Sequence, residues 1–554
     1  MKFNKALLLA ALCSVVVAAP DAASLPASMR ARLESARSPE SRWSDWSGYR
    51  TEVREFYRRT GGLAWVRDGA ATPQALALAA RLEGAGLKGL DPLDYDGDLW
   101  AGRMAALGTG PAQEAFDVAF TASLTRYASH LQIGRIHPAT LNQKVGAASK
   151  RVPMADLLVD LASAPDPGAR LDQIEPPYLG YRALLAQLPR YLELAGQPFT
   201  VLSAPRRLAP GRAYAGAGLL AGRLTALGDL TAEEARTLRP GRYDPALAMA
   251  VKRFQGRHGD RPDGLLGGKT LAQLNTPYKQ RLEQIQLTLE RWRWVALDPG
   301  KRLIWVNLPA FNLVALTPKE ASYTWDLSSK VVVGEAFGHE THVLAGKVNT
   351  VVFRPFWNVP ASIILHDILP ALRKNSKYLA RNDFEIVRGY EDPGPAVAQT
   401  PAAIRALAAG KLQLRQRPGK NNSLGLVKLL FPNSQDIYLH DTPAQGGFAS
   451  LRRDASHGCI RVEKAAELAA WVLRDDPAWD LEKVKAAMAA DGPSVKVAVT
   501  APVQVMIVYA TATVDGSGRI YFYNDIYGND GSLKKALEAW RPKDYQRRTG
   551  PVST

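Results

Sequence analysis

The sequence predicts a multidomain α+β protein that is helical in its N-terminal part and rich in strands in its C-terminal part. At 554 residues the chain is too long for one hydrophobic core, so three or more domains are expected. Apolar residues make up 46% of the chain and charged residues 22%, a composition typical of folded globular domains. The period of the apolar residues also changes along the chain, from helical spacing to strand alternation at Arg302.

The first 18 residues indicate a secretory signal peptide. They combine the basic start Met1–Lys5, an apolar stretch from Ala6 to Val17 and the small residue Ala18. We expect cleavage after Ala18, because Pro20 would hinder cleavage one residue later. The apolar stretch is shorter than the ~20 residues that a membrane span needs, and an uncleaved anchor is the alternative. No later stretch is long and apolar enough to span a bilayer, so we expect an exported protein.

Residues 24–235 predict a helical scaffold domain, since Ala, Leu and Arg recur there at helical spacing between Pro and Gly breaks. For His130 and His137 in this region we expect packing or surface roles. Residues 240–276 form a smaller unit, with an apolar-periodic helix up to Phe254, a polar turn and a second helical pattern.

Residues 279–298 predict a connecting helix that ends in alternating Trp and Arg. Those side chains suit either an anionic glycan or, as we expect, docking of the helix onto the next domain. Residues 301–500 predict a β-rich domain, interrupted by a Pro-, Gly- and Ala-rich insertion at about 361–415 that would cap a cleft. The segment 501–542 predicts further strands that complete this domain, with a hairpin turn at Val514–Ser517.

Candidate chemistry is concentrated around one thiol. Cys459 follows Gly458 and precedes an apolar-periodic segment that predicts a helix starting near Glu463. A thiol at a helix start is favoured as the thiolate, which is the nucleophilic form. Gly458 would let successive backbone N–H groups turn toward a developing oxyanion. His440, at the end of a predicted strand, is the candidate general base.

The cysteine count supports a use for this thiol. The chain has two cysteines, and Cys13 lies in the predicted signal peptide. Cleavage would leave Cys459 as the only cysteine of the mature protein. In an oxidising compartment an unpaired cysteine is a liability unless it is used.

The formal net charge of +17 suits an anionic partner such as nucleic acid, a membrane surface or a wall polymer. Export argues against nucleic acid. A generally solvated basic surface is the alternative, because the sequence has no block of five or more like charges.

Two regions resemble known families. His440 and, after fifteen residues, Ser456-His457-Gly458-Cys459 resemble the active-site signature of L,D-transpeptidases, whose catalytic module is the YkuD domain. The segments Pro418–Gly425 and Phe431–Asn433 match its large, multidomain, YcbB-like branch from Gram-negative envelopes. The unit at 240–276 resembles the three-helix peptidoglycan-binding module.

This resemblance implies an acyl transfer on peptidoglycan stem peptides that passes through a cysteine thioester and forms 3→3 cross-links. It makes Cys459 the nucleophile and His440 the general base and acid, oriented by the backbone carbonyl of Asp441. The backbone N–H groups of His457, Gly458 and Cys459 would form the oxyanion hole. It also implies a periplasmic, wall-associated protein without a cofactor, and carbapenem-type β-lactams as inactivators.

Several further residues are expected to contact substrate. Arg461 can fork onto a donor carboxylate, although pairing with Glu463 is the alternative. The other expected contacts are Tyr438, Ser456, Trp357 and Asn358. We expect no metal site, because His339 and His342 are one residue short of the i, i+4 spacing of zinc proteases.

The sequence leaves three kinds of alternative to weigh, the first of which covers two reactions of the same thioester. The same thioester could be resolved by water, as in an L,D-carboxypeptidase, or by an amine of a protein that is attached to the wall. A papain-like peptidase is disfavoured because its Cys precedes its His in the chain. A non-catalytic peptidoglycan-binding envelope protein would not need a lone cysteine beside His440.

Overall fold

The computed structural model describes residues 25–145, 152–205, 207–298, 300–320, 322–390 and 395–542. The signal peptide expected at 1–18 lies outside the described residues. The chain divides into two compact units, one comprising the described residues within Met1–Gln132, Arg151–Glu175 and Arg541–Thr554, the other those within Ile133–Lys150 and Pro176–Trp540. None of the helices in the described part combines the length and apolar composition that a bilayer crossing requires.

The first unit is helical, as the sequence predicts. Its long helix is buried along most of its length and is surrounded by shorter helices that bring aromatic side chains onto it. Asp117 on that helix is fully buried and accepts hydrogen bonds from the Tyr57 hydroxyl and the Trp65 N–H. The elements are α1 Ala27–Ser35, α2 Arg50–Thr60, β1 Val66–Arg67, β2 Ala70–Ala71, α3 Pro73–Glu83, α4 Trp100–Ala105, α5 Pro111–Ile133, α6 Met154–Ser163 and α7 Pro167–Asp172.

The second unit begins with a helical module. Thr231 and Asp244 cap two of its helices by accepting backbone N–H bonds, and the Thr231–Glu234 pair forms a full capping box. The elements are α8 Leu179–Ala195, β3 Arg207–Leu208, β4 Arg212–Ala213, α9 Ala217–Leu227, α10 Ala232–Arg236, β5 Arg242–Tyr243, α11 Pro245–Arg257, β6 Leu266–Gly267, α12 Gly268–Leu274 and α13 Tyr278–Trp294.

Helix α13 is the predicted connecting helix, and its Trp and Arg side chains are docked inside the unit. Trp294 is 1% exposed in the core of the β-rich domain, and Trp292 stacks on Trp305 with ring centroids 4.9 Å apart. Arg291 pairs with Asp530 at 2.5 Å. The docking role is therefore confirmed for these side chains, which are not free to bind a glycan.

The β-rich domain is built on long strands separated by an insertion. The strand alternation that begins at Arg302 corresponds to real strands, the first of which is Leu303–Asn307. The elements are β7 Leu303–Asn307, β8 Asn312–Lys319, β9 Ser322–Gly334, β10 Leu344–Phe353, β11 Trp357–Asn358, α14 Ala361–Ile363, α15 Leu369–Lys374, α16 Tyr378–Arg381, β12 Phe384–Val387, α17 Pro401–Ala408, β13 Gln413–Gln416, β14 Val427–Leu430, β15 Leu439–His440, β16 Asp454–Ser456, β17 Ile460–Val462, α18 Ala465–Leu473, α19 Leu481–Ala489, β18 Val495–Val508, β19 Ala512–Val514, β20 Ile520–Phe522 and α20 Asn529–Trp540.

Within the described residues, nine of these strands form one sheet in the order β16-β9-β17-β15-β14-β10-β18-β7-β8. Strand β9 also pairs with β8, so the sheet closes on itself. Closure leaves fewer unpaired strand edges and encloses a core of branched apolar side chains such as Val331, Val351 and Ile507.

The insertion after β10 forms its own small layer. Strands β11, β13 and β12 make a three-stranded sheet, and one turn of π-helix, Ile364–Ile368, joins α14 to α15. These elements share a separate apolar cluster that includes Val359, Ile386 and Leu414.

The C-terminal segment departs from the expectation. Strand β18 does enter the sheet, between β10 and β7. The hairpin β19–β20 forms at the expected turn, but it pairs only with itself and buries Ile520 and Phe522 in the core of the helical module. The expectation that all C-terminal strands complete the β-rich domain is therefore wrong for this hairpin. Its apolar side chains pack against the helices of the helical module instead.

Replacing Ile460 with Ala should lower the free energy of unfolding by about 2–5 kcal/mol, because a fully buried side chain would leave a cavity at the β15–β17 pairing. Urea denaturation followed by Trp fluorescence measures the change. The control is Val495→Ala, since Val495 is 39% exposed. Equal stability of the two variants would show that this pairing carries little of the packing energy.

Candidate functional site

The candidate site is built on two short parallel strands. β15 and β17 lie side by side, with Leu439 opposite Ile460 and His440 opposite Arg461. Leu439 and Ile460 are fully buried in the core. Because successive side chains of a strand point to opposite faces, the intervening residues share the other face. That face carries Tyr438, His440, Cys459 and Arg461.

Cys459 does not lie at a helix start. The residues after it form strand β17, and α18 begins only at Ala465. The helix expected to start near Glu463 does form, as Ala465–Leu473, but strand β17 separates it from Cys459, so the expectation that the thiol lies at a helix start is wrong. A helix dipole therefore does not stabilise a thiolate at Cys459.

Cys459 is a free cysteine and is half-buried. Its Sγ lies 3.7 Å from the carbonyl oxygen of Asp436. Burial raises the pKa of the thiol, whereas hydrogen bonds from the backbone and hydroxyl of Tyr438 and the charge of Lys428 act in the opposite direction. The pKa of the Cys459 thiol is thus raised by burial, and Tyr438 and Lys428 offset only part of this effect.

The His440 ring is almost fully buried, with 4% of the residue exposed. Its Nδ1 lies 2.5 Å from the carbonyl oxygen of Asp441. A carbonyl can only accept, so Nδ1 carries the proton and Nε2 is the nitrogen that can accept one. Burial lowers the pKa of His440 to about 3, with the charges of Arg461 and Lys428 adding to the shift. The imidazole is therefore neutral at neutral pH.

The turn before Cys459 is fixed by its own hydrogen bonds. The buried Ser456 hydroxyl donates to the carbonyl of Cys459 at 2.6 Å and accepts the Gly458 N–H at 3.2 Å. Thr341 donates to the Gly458 carbonyl at 2.7 Å. Gly458 has φ +110°, a conformation that residues with a side chain rarely adopt. A glycine is required here by the backbone of the turn.

A cleft of about 650 Å³ opens onto this turn. Its walls come from the β9–β10 loop, the start of the insertion, strand β14 and the segment before β15. The lining residues include Cys459, Gly458, His457, Tyr438, Asp436, Lys428, Asn358, Val359, Tyr390, His339 and His342. A pocket of this size, with a thiol and several polar groups converging on it, has the character of a ligand site.

The residues that are expected to contact substrate differ in their position relative to this cleft. Asn358 lines it directly. Trp357 is half-buried, and its side chain partly offsets the effect of burial, which raises the pKa of Tyr438. The alternative of an Arg461–Glu463 pair is not observed, because Glu463 pairs with Lys330 at 3.4 Å. Arg461 is half-buried on the Cys459 face.

Sequence reasoning missed Lys428 and the contacts that His457 makes in the cleft. Lys428 lies opposite His440 on β14. His457 contacts Asp367 of the insertion, with Nε2 and Oδ2 3.1 Å apart, and its ring meets that of His339 at 4.8 Å. These contacts join segments about 90 and 120 residues apart in sequence, a separation that no local pattern spans.

Three parts of the chain match protein-family models. Residues 301–497 match the family model described as "L,D-transpeptidase catalytic domain", the YkuD domain. This part of the chain is therefore similar to the catalytic domain of L,D-transpeptidases. Residues 218–274 match a "Putative peptidoglycan binding domain", and residues 51–188 match a "Scaffold domain". The resemblance to both the catalytic and the peptidoglycan-binding families is thereby confirmed.

The chain also has a curated relative that is similar over part of its length. A protein of Haemophilus influenzae named "Putative L,D-transpeptidase" is 31% identical over 244 residues, which are 43% of this chain. The matched part spans 46% of that relative, about half of its length.

Two solved structures are also similar in part. One is an L,D-transpeptidase from Xylanimonas cellulosilytica, at 15% identity, and the other is a fused Zn-dependent amidase/peptidase/peptidoglycan-binding protein from Clostridium acetobutylicum, at 13% identity. Each covers 55% of this chain and 100% of its own, with a TM-score of 0.15. At that TM-score neither supports a statement about this L,D-transpeptidase domain.

The depressed pKa of His440 predicts a specific loss of stability in acid. The pKa is about 3 in the folded chain against an ordinary value of 6.5, so between these pH values the unfolded chain binds a proton that the folded chain does not. Stability from this group is therefore complete above pH 6.5 and is lost as the pH falls toward 3. The urea midpoint of His440→Gln should decline less over this range than that of the wild type. The exposed His366→Gln should follow the wild type, and a His440→Gln curve parallel to the wild type would contradict the assignment.

Proposed function

We propose that the protein is an L,D-transpeptidase that acts on peptidoglycan stem peptides through a cysteine thioester and forms 3→3 cross-links. The observation that carries the proposal is the joint position of Cys459 and His440. Both lie on one face of two paired strands beside a cleft, and the ring of His440 is oriented by the Asp441 carbonyl. A nucleophile, a neutral base and an orienting group in one place are the parts that acyl transfer requires.

The first half-reaction forms the acyl-enzyme. Nε2 of His440 takes the proton of the Cys459 thiol, and the sulfur attacks the carbonyl carbon of the third residue of a stem tetrapeptide. The resulting oxyanion is bound by backbone N–H groups of the His457–Cys459 turn. When the intermediate collapses, the bond to the terminal D-Ala breaks and its amine leaves with the proton from His440.

The second half-reaction transfers the acyl group. An amine of a second stem attacks the thioester carbonyl, loses a proton to His440 and expels the Cys459 sulfur, which closes a ping-pong cycle. Among the three proposed oxyanion donors, the Gly458 N–H already serves the Ser456 hydroxyl. The N–H groups of His457 and Cys459 are therefore the donors on which this proposal chiefly depends.

Arg461 is proposed to bind a carboxylate of the donor stem. Its guanidinium is half-buried two residues beyond the thiol, and the neighbouring acid Glu463 is engaged by Lys330. A guanidinium binds a carboxylate with two parallel hydrogen bonds. Tyr438, Trp357 and Asn358 would complete this side of the donor site.

Peptidoglycan is the proposed partner of the whole chain. The peptidoglycan-binding match at 218–274 and the net charge of +17 both suit an anionic wall polymer. We accordingly propose a wall-associated, periplasmic location after removal of the signal peptide. Carbapenem-type β-lactams are proposed to acylate Cys459, because their strained carbonyl is open to the same thiolate attack.

Cys459→Ala is expected to abolish formation of 3→3 cross-linked muropeptides, since no other group on this face can form the acyl-enzyme. The measurement is the muropeptide profile of purified sacculi incubated with either form, together with intact mass after a carbapenem. Cys13→Ala serves as the matched control and should react as the wild type does. Cross-links made by Cys459→Ala would contradict the mechanism, and trimmed tripeptides without cross-links from the wild type would favour the carboxypeptidase alternative.

His440→Ala should slow acylation of Cys459 by roughly 10²–10⁴-fold near neutral pH, the usual contribution of a positioned acid–base group. Raising the pH should recover part of the rate, because hydroxide then ionises the thiol without the base. The pH dependence of acylation in His440→Ala and His457→Ala measures this. The base would have to be reassigned if His457→Ala showed the pH-rescued defect while His440→Ala reacted normally.

A further inference from the structure

Lys428 occupies a central place on the sheet face that carries the thiol. In the strand register it lies opposite His440 on one side and opposite Val352 on the other. His440 in turn lies opposite Arg461. These residues form one row across β10, β14, β15 and β17, and Lys428 extends from this row into the cleft that Cys459 also lines.

The ammonium of Lys428 has no anionic partner in the part of the chain that the structure describes. Its contacts are the carbonyl oxygen of Phe356 at 3.5 Å and the face of the Tyr438 ring, whose centroid lies 5.3 Å from Nζ. Burial and the charge of Lys496 lower the pKa of Lys428 to about 8, whereas Cys459 acts to raise it. A half-buried ammonium without a carboxylate costs free energy, and that cost indicates a use.

Two other sources of positive charge for a Cys459 thiolate are weak here. The thiol precedes a strand, so no helix N-terminus faces it. The His440 ring is buried, its Nδ1 proton is held by the Asp441 carbonyl, and both Arg461 and Lys428 oppose a second proton on the ring. A thiolate–imidazolium pair is therefore disfavoured in the resting state.

We propose that the Lys428 ammonium is the counter-charge of the Cys459 thiolate that forms when the thiol ionises. Lys428 would act through the sulfur as a positioning residue that eases this ionisation. His440 would remain the acceptor of the thiol proton, as in the first half-reaction. The proposal deepens the proposed function and rests on it for its catalytic meaning.

Other charged and titratable groups surround this pair and enter any pH dependence. Asp436 opposes ionisation of the thiol, and Tyr438 favours it by hydrogen bonding. The groups that face the pair are Lys496 from β18, Tyr438 and His440 from the β15 segment, Arg461 from β17, Asp436 from the loop before β15, His457 from the turn, and His339, Glu340 and His342 from the β9–β10 loop.

The test measures the reactivity of the Cys459 thiol and does not depend on transpeptidation. In the full chain carrying Cys13→Ser, Cys459 is the sole cysteine, and its sulfur displaces iodide from iodoacetamide to form a thioether. The rate constant of alkylation is followed by intact mass between pH 5 and 10. Lys428→Met should react about tenfold more slowly at pH 7, with its profile moved to higher pH, because an opposite charge nearby favours the ionised form by one pKa unit or more.

Two matched variants separate charge from packing. Lys428→Arg keeps a cation at the position and should retain most of the wild-type rate. Lys496→Met removes the neighbouring exposed cation two strands away and should not slow the reaction. A Lys428→Met profile that overlays the wild type would overturn the proposal, as would a Lys428→Arg variant as slow as Lys428→Met.

A measurement on the unaltered Lys428 protein keeps the proposal testable if these variants fold poorly. Iodoacetate carries a negative charge and iodoacetamide does not, so the ratio of their rates reports the cation beside the sulfur. This ratio should fall as the pH rises through about 8, where Lys428 loses its proton. A constant ratio from pH 6 to 10 would overturn the proposal. Neither readout needs a stem peptide, so a failure of the proposed function would be seen separately, as a protein whose thiol reacts with iodoacetamide as expected but which forms no cross-links before alkylation.

Discussion

Two residues of parallel pairing between β15 and β17 hold the candidate site together. They set His440 beside Arg461 and place Cys459 one step earlier on the same face. Strands this short contribute few hydrogen bonds, so their register depends on the burial of Leu439 and Ile460 beneath them. A slip of one residue would turn the thiol and the imidazole to opposite faces, and the chemistry would be lost without any change in the residues present.

Burial governs the electrostatics of this face. It raises the pKa of the Cys459 thiol and lowers those of His440 and Lys428, so each group is driven toward its neutral form. The three groups differ in the neighbours that oppose or strengthen this effect of burial. Tyr438 donates to the sulfur, whereas the neighbouring cations oppose protonation of His440. The specific contacts of Cys459, His440 and Lys428, rather than their exposure to solvent, therefore distinguish their roles on this face.

The sequence predicts the broad organisation and the pair His440 and Cys459, because helical and strand periods and a residue signature are local patterns. The strand after Cys459 was missed, since three residues are too few for a period to be recognised beside the strong helical pattern of α18. Lys428 was missed because an alternating polar residue on a strand ordinarily faces solvent. The contact between His457 and Asp367 depends on how the insertion folds back, which sequence spacing does not determine.

The hairpin β19–β20 has a consequence for how the chain acquires its structure. Ala512, Ile520 and Phe522 complete an apolar core whose other buried members lie between Tyr181 and Leu289. A chain that emerges from N- to C-terminus therefore exposes this core for more than 200 residues of further synthesis or export before the closing pieces arrive. The helical module is early in sequence, but part of its apolar core stays uncovered until the hairpin arrives. Shortened versions of the protein that stop before the hairpin would leave the same core open.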